Sequence, residues 1–269
     1  MKPPTPGDLA LSSIAAAGMI AVALIAVIGW RRRAKASWAS FGIGALAWTI
    51  GVALKFAWAV PANKRVLAFL ASHLGRLGAP ASWLYIGLLT GVFEVGATWL
   101  LVRTTRVRRA SRADATGFGI GFGAVEAALL GMVSFAVVAV IALFWSHLPL
   151  EAQKALASHG GRWTFLIPIF ERAYTIVAHA VSCILVVEAV QQRRARWFVA
   201  SFVYKTLVDG IAAWGIMAWD VRSNLAHIVW FELLLCAFVL AWVPLVRLAR
   251  RAPPGSGPIA ATPLAAVAA

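Results

Sequence analysis

Seven apolar stretches, each about 20 residues or longer, constrain the fold of this sequence more than any other feature. A helix of that length crosses a hydrocarbon core of about 30 Å, and a soluble domain cannot bury so many of them. A mean hydropathy of +0.81 and a charged fraction of 13% agree with lipid as the solvent. The sequence therefore predicts an all-α, polytopic membrane helical bundle. Its seven spans are expected at about residues 9–30, 37–60, 82–103, 115–144, 164–190, 197–218 and 224–246.

These spans divide the chain into three segments. Residues 1–8 are expected to lie outside the cell, and residues 9–246 to form the transmembrane domain. Residues 247–269 are expected to form a cytoplasmic tail that begins basic and then becomes disordered. The first span is expected to be retained, because its apolar run is too long for a secretory signal and its positive charges follow it. The connector at 61–80 has room for a short interfacial helix.

Basic residues are distributed unevenly between the two ends of the spans. Fifteen Lys and Arg residues follow spans one, three, five and seven, whereas the opposite side holds seven. The positive-inside rule then predicts an external N-terminus and a cytoplasmic C-terminus. The clusters also suit contact with anionic lipid headgroups. The net charge of +15 does not indicate nucleic-acid binding, because no basic domain stands outside the membrane. We expect a multi-pass protein of the cell membrane, the cytoplasmic membrane of a bacterium.

Ionisable side chains inside the spans are costly and are therefore candidates for a functional site. Arg172, Thr175, His179 and Ser182 recur at helical spacing and are expected to share one stripe of the fifth span. The ionisable residues within the predicted spans are Lys55, Glu94, Glu126, Glu171, Arg172, His179, Glu188, Lys205, Asp209 and Glu232.

Spacing suggests further groupings on the fourth and sixth spans. Lys205 and Asp209 are four residues apart, so they are expected to form an ion pair on one helix face. On the fourth span a stripe of aromatic residues ends in Glu126, and the glycines at 119, 121 and 123 allow another helix to approach closely. The two cysteines, Cys183 and Cys236, lack metal-site spacing and are expected to be packing residues.

Residue types alone leave three interpretations of these charges open. Acids and bases that neutralise one another would form a structural ion-pair cluster and fix the helix register. The same residues could relay ions or protons in a small transporter. They could also activate water, which requires a carboxylate base, a partner that orients the water, and a donor for the oxyanion.

Four segments resemble the YhfC family of intramembrane proteases, which is allied to the CAAX prenyl protease superfamily. The similarity covers about residues 80–215 and follows the order of the family's motifs. The glycine-patterned run that ends in Glu126 is its most specific part. The segments are GVFEVGATW (91–99), GFGIGFGAVEAALLG (117–131), ERAYTIVAHAVSCILV (171–186) and YKTLVDG (204–210).

Six positions agree with the family pattern and four depart from it. The departures lie where the pattern has a second acid, an Arg and two His residues. A metal site would need two or three His or carboxylate ligands on facing helices, and His179 is the one histidine well inside a span. We therefore expect no cofactor and no multi-His zinc site. The matching residues are Glu94, Glu126, Glu171, Arg172, His179 and Asp209, and the departures are Val95, Thr98, Phe122 and Lys205.

The resemblance implies an intramembrane peptidase scaffold that hydrolyses membrane-embedded peptide bonds. Glu94 or Glu126 would then be the general base, and His179 would orient the water. Arg172 and Asp209 would set the charge environment.

The resemblance also leaves some roles and alternatives open. Glu171, Lys205 and Phe122 are expected to have structural or substrate-contact roles. The four departures leave a non-catalytic membrane binding or scaffold protein open, alongside a small transporter with an acidic relay. The expected partners are the lipid bilayer and a membrane-protein or peptide substrate.

Overall fold

The computed structural model describes residues 3–157, 164–219, 221 and 224–251. Within these ranges the chain forms ten α-helices and no strand. A π-helical segment, Gly91–Val95, joins α3 to α4 without interrupting the span. The α-helices are α1 (Pro6–Ala34), α2 (Trp38–His73), α3 (Gly78–Thr90), α4 (Gly96–Thr104), α5 (Arg112–Phe144), α6 (Leu150–Ala157), α7 (Leu166–Gln192), α8 (Ala195–Met217), α9 (Leu225–Ala241) and α10 (Val243–Arg251).

Among the described residues, seven helical segments are long and apolar enough to cross a membrane, and they correspond to the seven predicted spans. Helices α3 and α4 with the π segment between them form the third span, and α9 with α10 forms the seventh. The predicted all-α bundle is therefore confirmed. The side of the membrane that each terminus faces stays a prediction.

Several helices extend beyond the predicted span boundaries. Helix α2 continues to His73, with Pro61 in its interior. Most of the connector predicted at 61–80 is therefore the end of α2, and up to His73 it holds no separate interfacial helix. Helix α1 begins at Pro6, where a capping box between Thr5 and Asp8 satisfies the first backbone N–H groups. At the other end, α10 runs to Arg251, and the tail predicted from residue 252 onward lies outside the described residues.

The N-terminal ends of α2 and α5 are joined by one carboxylate. Asp114 lies in the first turn of α5 and accepts a hydrogen bond from the Ser111 hydroxyl that caps the same helix. It also accepts from the backbone N–H of Ser37 at 2.7 Å and from the Ser40 hydroxyl at 3.0 Å. This shared cap fixes the position of α5 relative to α2 at that end of the bundle.

The spacing of the glycines in α5 predicted the close approach of another helix, and in the structure two helices approach its backbone, on different faces. A Cβ atom at Gly121 would collide with the backbone of Phe41 in α2. A Cβ atom at Gly119 would lie 2.6 Å from the Cα atom of Ala180 in α7, and one at Gly123 would lie 2.8 Å from that of Ile176. Helix α5 therefore packs closely against both α2 and α7. Of the spans in the described part of the chain, α7 is the most buried.

Candidate functional site

Glu94 lies in the π-helical segment of the third span. A π segment widens the helix by one residue per turn, which changes the direction of the side chains that follow it, and such segments are frequent at functional sites. Gly51 of α2 makes room for this wider turn, since a Cβ atom there would lie 3.0 Å from the Glu94 Cα atom. The Glu94 side chain is thus directed into the bundle and is 3% exposed.

Two lysines from different helices hold the Glu94 carboxylate. Lys55 of α2 lies with its Nζ atom 2.5 Å from Oε1. Lys205 of α8 lies with its Nζ atom 3.1 Å from Oε2, and no described residue directs a hydrogen bond at that oxygen. Lys205 is itself only 4% exposed. The carboxylate is therefore neutralised by an ion pair on each oxygen, which a buried charge requires.

Glu126 of α5 is held by three donors. Its Oε1 atom forms an ion pair with the guanidinium of Arg172, which also pairs with the neighbouring Glu171. Its Oε2 atom lies 2.9 Å from Nε2 of His179 and accepts a hydrogen bond from the Trp48 indole at 2.8 Å. Both oxygens are thereby occupied.

His179 connects the two carboxylate groups. Its Nδ1 atom is 3.5 Å from Nζ of Lys205, while Nε2 faces Glu126. A charged ammonium can only donate, so a hydrogen bond from Lys205 requires Nδ1 to be the accepting nitrogen, and an N–H on Nε2 would point at the carboxylate. The Phe122 ring lies with its centroid 4.9 Å from that of the imidazole, which limits the ring's freedom to turn. His179 thus bridges Lys205 and Glu126, one through each ring nitrogen.

Asp209 joins the other end of the same network. Its Oδ2 atom accepts a hydrogen bond from Thr90, whose hydroxyl also accepts from Lys55 at 3.4 Å. The Lys205 ammonium instead contacts Glu94 and His179. Among the described residues, Lys205 and Asp209 form no ion pair. The predicted pairing of these two residues is wrong, because a glutamate on a neighbouring span lies closer to the ammonium than the acid one turn away.

The structure thus brings all the predicted site residues into one connected group, which we name the charge network. Their catalytic, structural and substrate-contact roles stay predictions. The charge network consists of Asp209, Thr90, Lys55, Glu94, Lys205, His179, Glu126, Arg172 and Glu171, with Trp48 and Phe122 packed against it.

Two members of the charge network, Lys55 and Thr90, and the adjoining Trp48 were absent from the site predicted from sequence. Each had a signal in its spacing. Thr90 precedes Glu94 by four residues, and Trp48 precedes Lys55 by seven, so each pair shares a helix face. Lys55 had been recognised as an intramembrane charge but not assigned to the site.

Two other intramembrane acids make their contacts elsewhere. Glu188 accepts a hydrogen bond from Gln192 and lies 3.7 Å from the Arg250 Nε atom. Glu232 accepts a hydrogen bond from the Tyr174 hydroxyl at 2.6 Å. Neither carboxylate bonds to the charge network in the part of the chain that the structure describes.

The side chains of the charge network do not form a ready set of metal ligands. Among residues 3–157, 164–219, 221 and 224–251, no three His, Cys, Asp or Glu residues are grouped so that they could hold a metal ion. The oxygens of Glu94 and Glu126 already face cations, and Nδ1 of His179 faces the Lys205 ammonium. Both cysteines are free and lie on different helices.

Comparison with known protein families gives one match. A family model described as YhfC intramembrane metalloprotease matches residues 18–229. That range includes every member of the charge network and agrees with the resemblance in the sequence motifs. No curated protein and no solved structure matches the chain.

Proposed function

Because the chain belongs to the YhfC intramembrane metalloprotease family, we propose that it binds peptide segments within the membrane and that its peptide hydrolysis is strongly weakened. One observation carries this proposal: the ammonium of Lys205 lies between Glu94 and His179, where it contacts both. These are the two groups that a water-activating or metal-dependent site would use.

Peptide hydrolysis requires a base that is free to take a proton from water. Glu126 already accepts from an arginine, a histidine and a tryptophan, so removing a proton from water would require breaking one of these contacts. Glu94 is paired with two lysines, so a water molecule could reach its carboxylate only by displacing an ammonium. Both candidate bases therefore have cationic partners that a water molecule would have to displace.

A divalent metal ion fits this arrangement poorly. Metal ligands must offer free lone pairs, and a second cation within contact distance of the ion is electrostatically unfavourable. Lys205 would be such a cation, since its Nζ atom is 3.1 Å from the carboxylate that would bind the metal. A metal-dependent hydrolytic step is therefore not part of the proposed function, and the absence of a cofactor stays a prediction.

The transporter alternative is less well supported. A proton relay needs groups that can both accept and release a proton, and a guanidinium stays protonated in proteins. Arg172 separates Glu126 from the more exposed Glu171, so no titratable group connects these two acids directly.

Purified protein in liposomes, incubated with a library of transmembrane peptides, tests the proposal. We expect photo-crosslinking of bound peptides and no cleavage that depends on Glu126. Glu188→Gln is the matched control, because Glu188 lies outside the charge network. Cleavage that Glu126→Gln lowers by about 10²–10⁴-fold, with folding intact and Glu188→Gln active, would overturn the proposal.

A second arm tests the part assigned to Lys205. Lys205→His replaces the ammonium by an imidazole that can bind a metal ion beside Glu94 and His179. We expect zinc to raise the thermal midpoint of this variant and not that of the unmodified protein. An equal zinc-dependent rise in both proteins would contradict the role of Lys205 in excluding metal.

A further inference from the structure

An apolar groove lies between α1 and α7 and is also lined by residues of α5 and α10. Its volume is about 600 Å³, within the range of about 300–1,000 Å³ that is typical of ligand pockets. We name it the α1–α7 groove. Its walls are aliphatic and come from four helices, with Val22, Ile25, Ile120, Ile176, Val181 and Val246 as representative side chains.

Basic side chains stand at the α10 end of the groove. Arg247 is exposed and has no ion-pair partner in the described part of the chain. Arg250 donates to the Thr116 hydroxyl at 2.8 Å and to the Arg112 carbonyl at 3.3 Å, and its Nε atom forms an ion pair with Glu188 at 3.7 Å. The apolar groove therefore ends, among the described residues, at one arginine without an acidic partner, Arg247, and at a second guanidinium that is already ion-paired.

The lining favours an acyl chain over a peptide. A peptide backbone in a membrane needs partners for its N–H and C=O groups. The polar atoms near the groove are already used: the Trp30 indole donates to the Ala113 carbonyl at 2.9 Å, and the Thr116 hydroxyl donates to the Arg112 carbonyl at 2.9 Å. An acyl chain needs no such partner.

The arginines decide which lipid is preferred. Within a bilayer an acyl chain gains little from moving between lipid and protein, because both are apolar. Selectivity must then come from the headgroup, and the arginine guanidinium matches the geometry of a phosphate. An anionic headgroup adds favourable charge to that contact, whereas a choline adds a positive charge beside the arginines.

We propose that the α1–α7 groove binds one anionic phospholipid, with an acyl chain between α1 and α7 and its phosphate on Arg247 and Arg250. This site is separate from the charge network and does not depend on the function proposed for it. The bound lipid connects α1 and α10 to α7, so its occupancy stabilises the bundle against unfolding.

Native mass spectrometry of the full chain in detergent tests this proposal with two lipids of identical acyl chains, phosphatidylglycerol and phosphatidylcholine. We expect at least about tenfold tighter binding of phosphatidylglycerol, and loss of most of that preference in the Arg247→Ala/Arg250→Ala double variant. Arg103→Ala is the matched control, since Arg103 stacks on Trp99 outside the groove.

A groove-filling variant distinguishes binding of the acyl chain from binding of the headgroup. Ile25 is 70% exposed and lines the groove, so Ile25→Trp fills it without entering the core. We expect this variant to bind both lipids more weakly than the unmodified protein does. Equal affinity for the two lipids, or an unchanged preference in the double arginine variant, would overturn the proposal. Lipid binding that appears only after deletion of residues 252–269 would assign the groove to that segment of the chain instead.

Discussion

Replacing Lys205 by Met should destabilise the protein by removing one side of a buried ion pair. Unit charges 3.1 Å apart interact by about 5 kcal/mol at an effective dielectric constant of about 20. Removing one partner of a buried pair costs about 3–5 kcal/mol. We expect a value near 3 kcal/mol, because Lys55 still holds the other oxygen of Glu94.

A double-mutant cycle isolates the interaction. Glu94→Gln alone leaves two lysines undercompensated, so Lys205→Met with Glu94→Gln should lose less than the sum of the single changes. We expect a coupling free energy of at least about 2 kcal/mol from unfolding measurements in bicelles. The cycle of Lys205→Met with Asp209→Asn should show a smaller coupling, since Asp209 accepts from Thr90 and not from the ammonium.

Lys64→Met is the control for losing a lysine, because Lys64 is exposed and should shift stability by less than about 0.5 kcal/mol. Additivity of the Lys205 and Glu94 changes within about 0.5 kcal/mol would refute the ion pair. So would a larger coupling of Lys205 with Asp209 than with Glu94.

Two further predictions concern topology and helix packing. Reporter fusions should place the loop at 103–112 in the cytoplasm, and an external location would contradict the predicted orientation. Gly121→Ala should cost about 1–3 kcal/mol of unfolding free energy, since its Cβ atom would collide with the backbone of α2. Gly42→Ala, with open space around it, should be neutral or stabilising by up to about 1 kcal/mol, and equal losses at both glycines would contradict the close approach.

The membrane environment and the fold class of this protein could both be predicted from its sequence alone. Backbone groups in lipid must all be hydrogen-bonded within the protein, and a continuous apolar run of about 20 residues achieves this within itself as a helix. The close approach of another helix to α5 was also predictable from sequence, because a glycine has no Cβ atom to keep a neighbouring backbone away. Which helices use that space, α2 at Gly121 and α7 at Gly119 and Gly123, was not readable from the spacing.

Partner choice among the buried charges was decided by the tertiary structure. Sequence spacing compares residues on one helix and therefore favoured Asp209 as the partner of Lys205. The folded protein places Glu94, from a π segment on another span, at 3.1 Å, and leaves Asp209 to Thr90. A buried charge pairs with whichever opposite charge lies closest in three dimensions, because the pair energy falls with distance between atoms and not with separation along the chain.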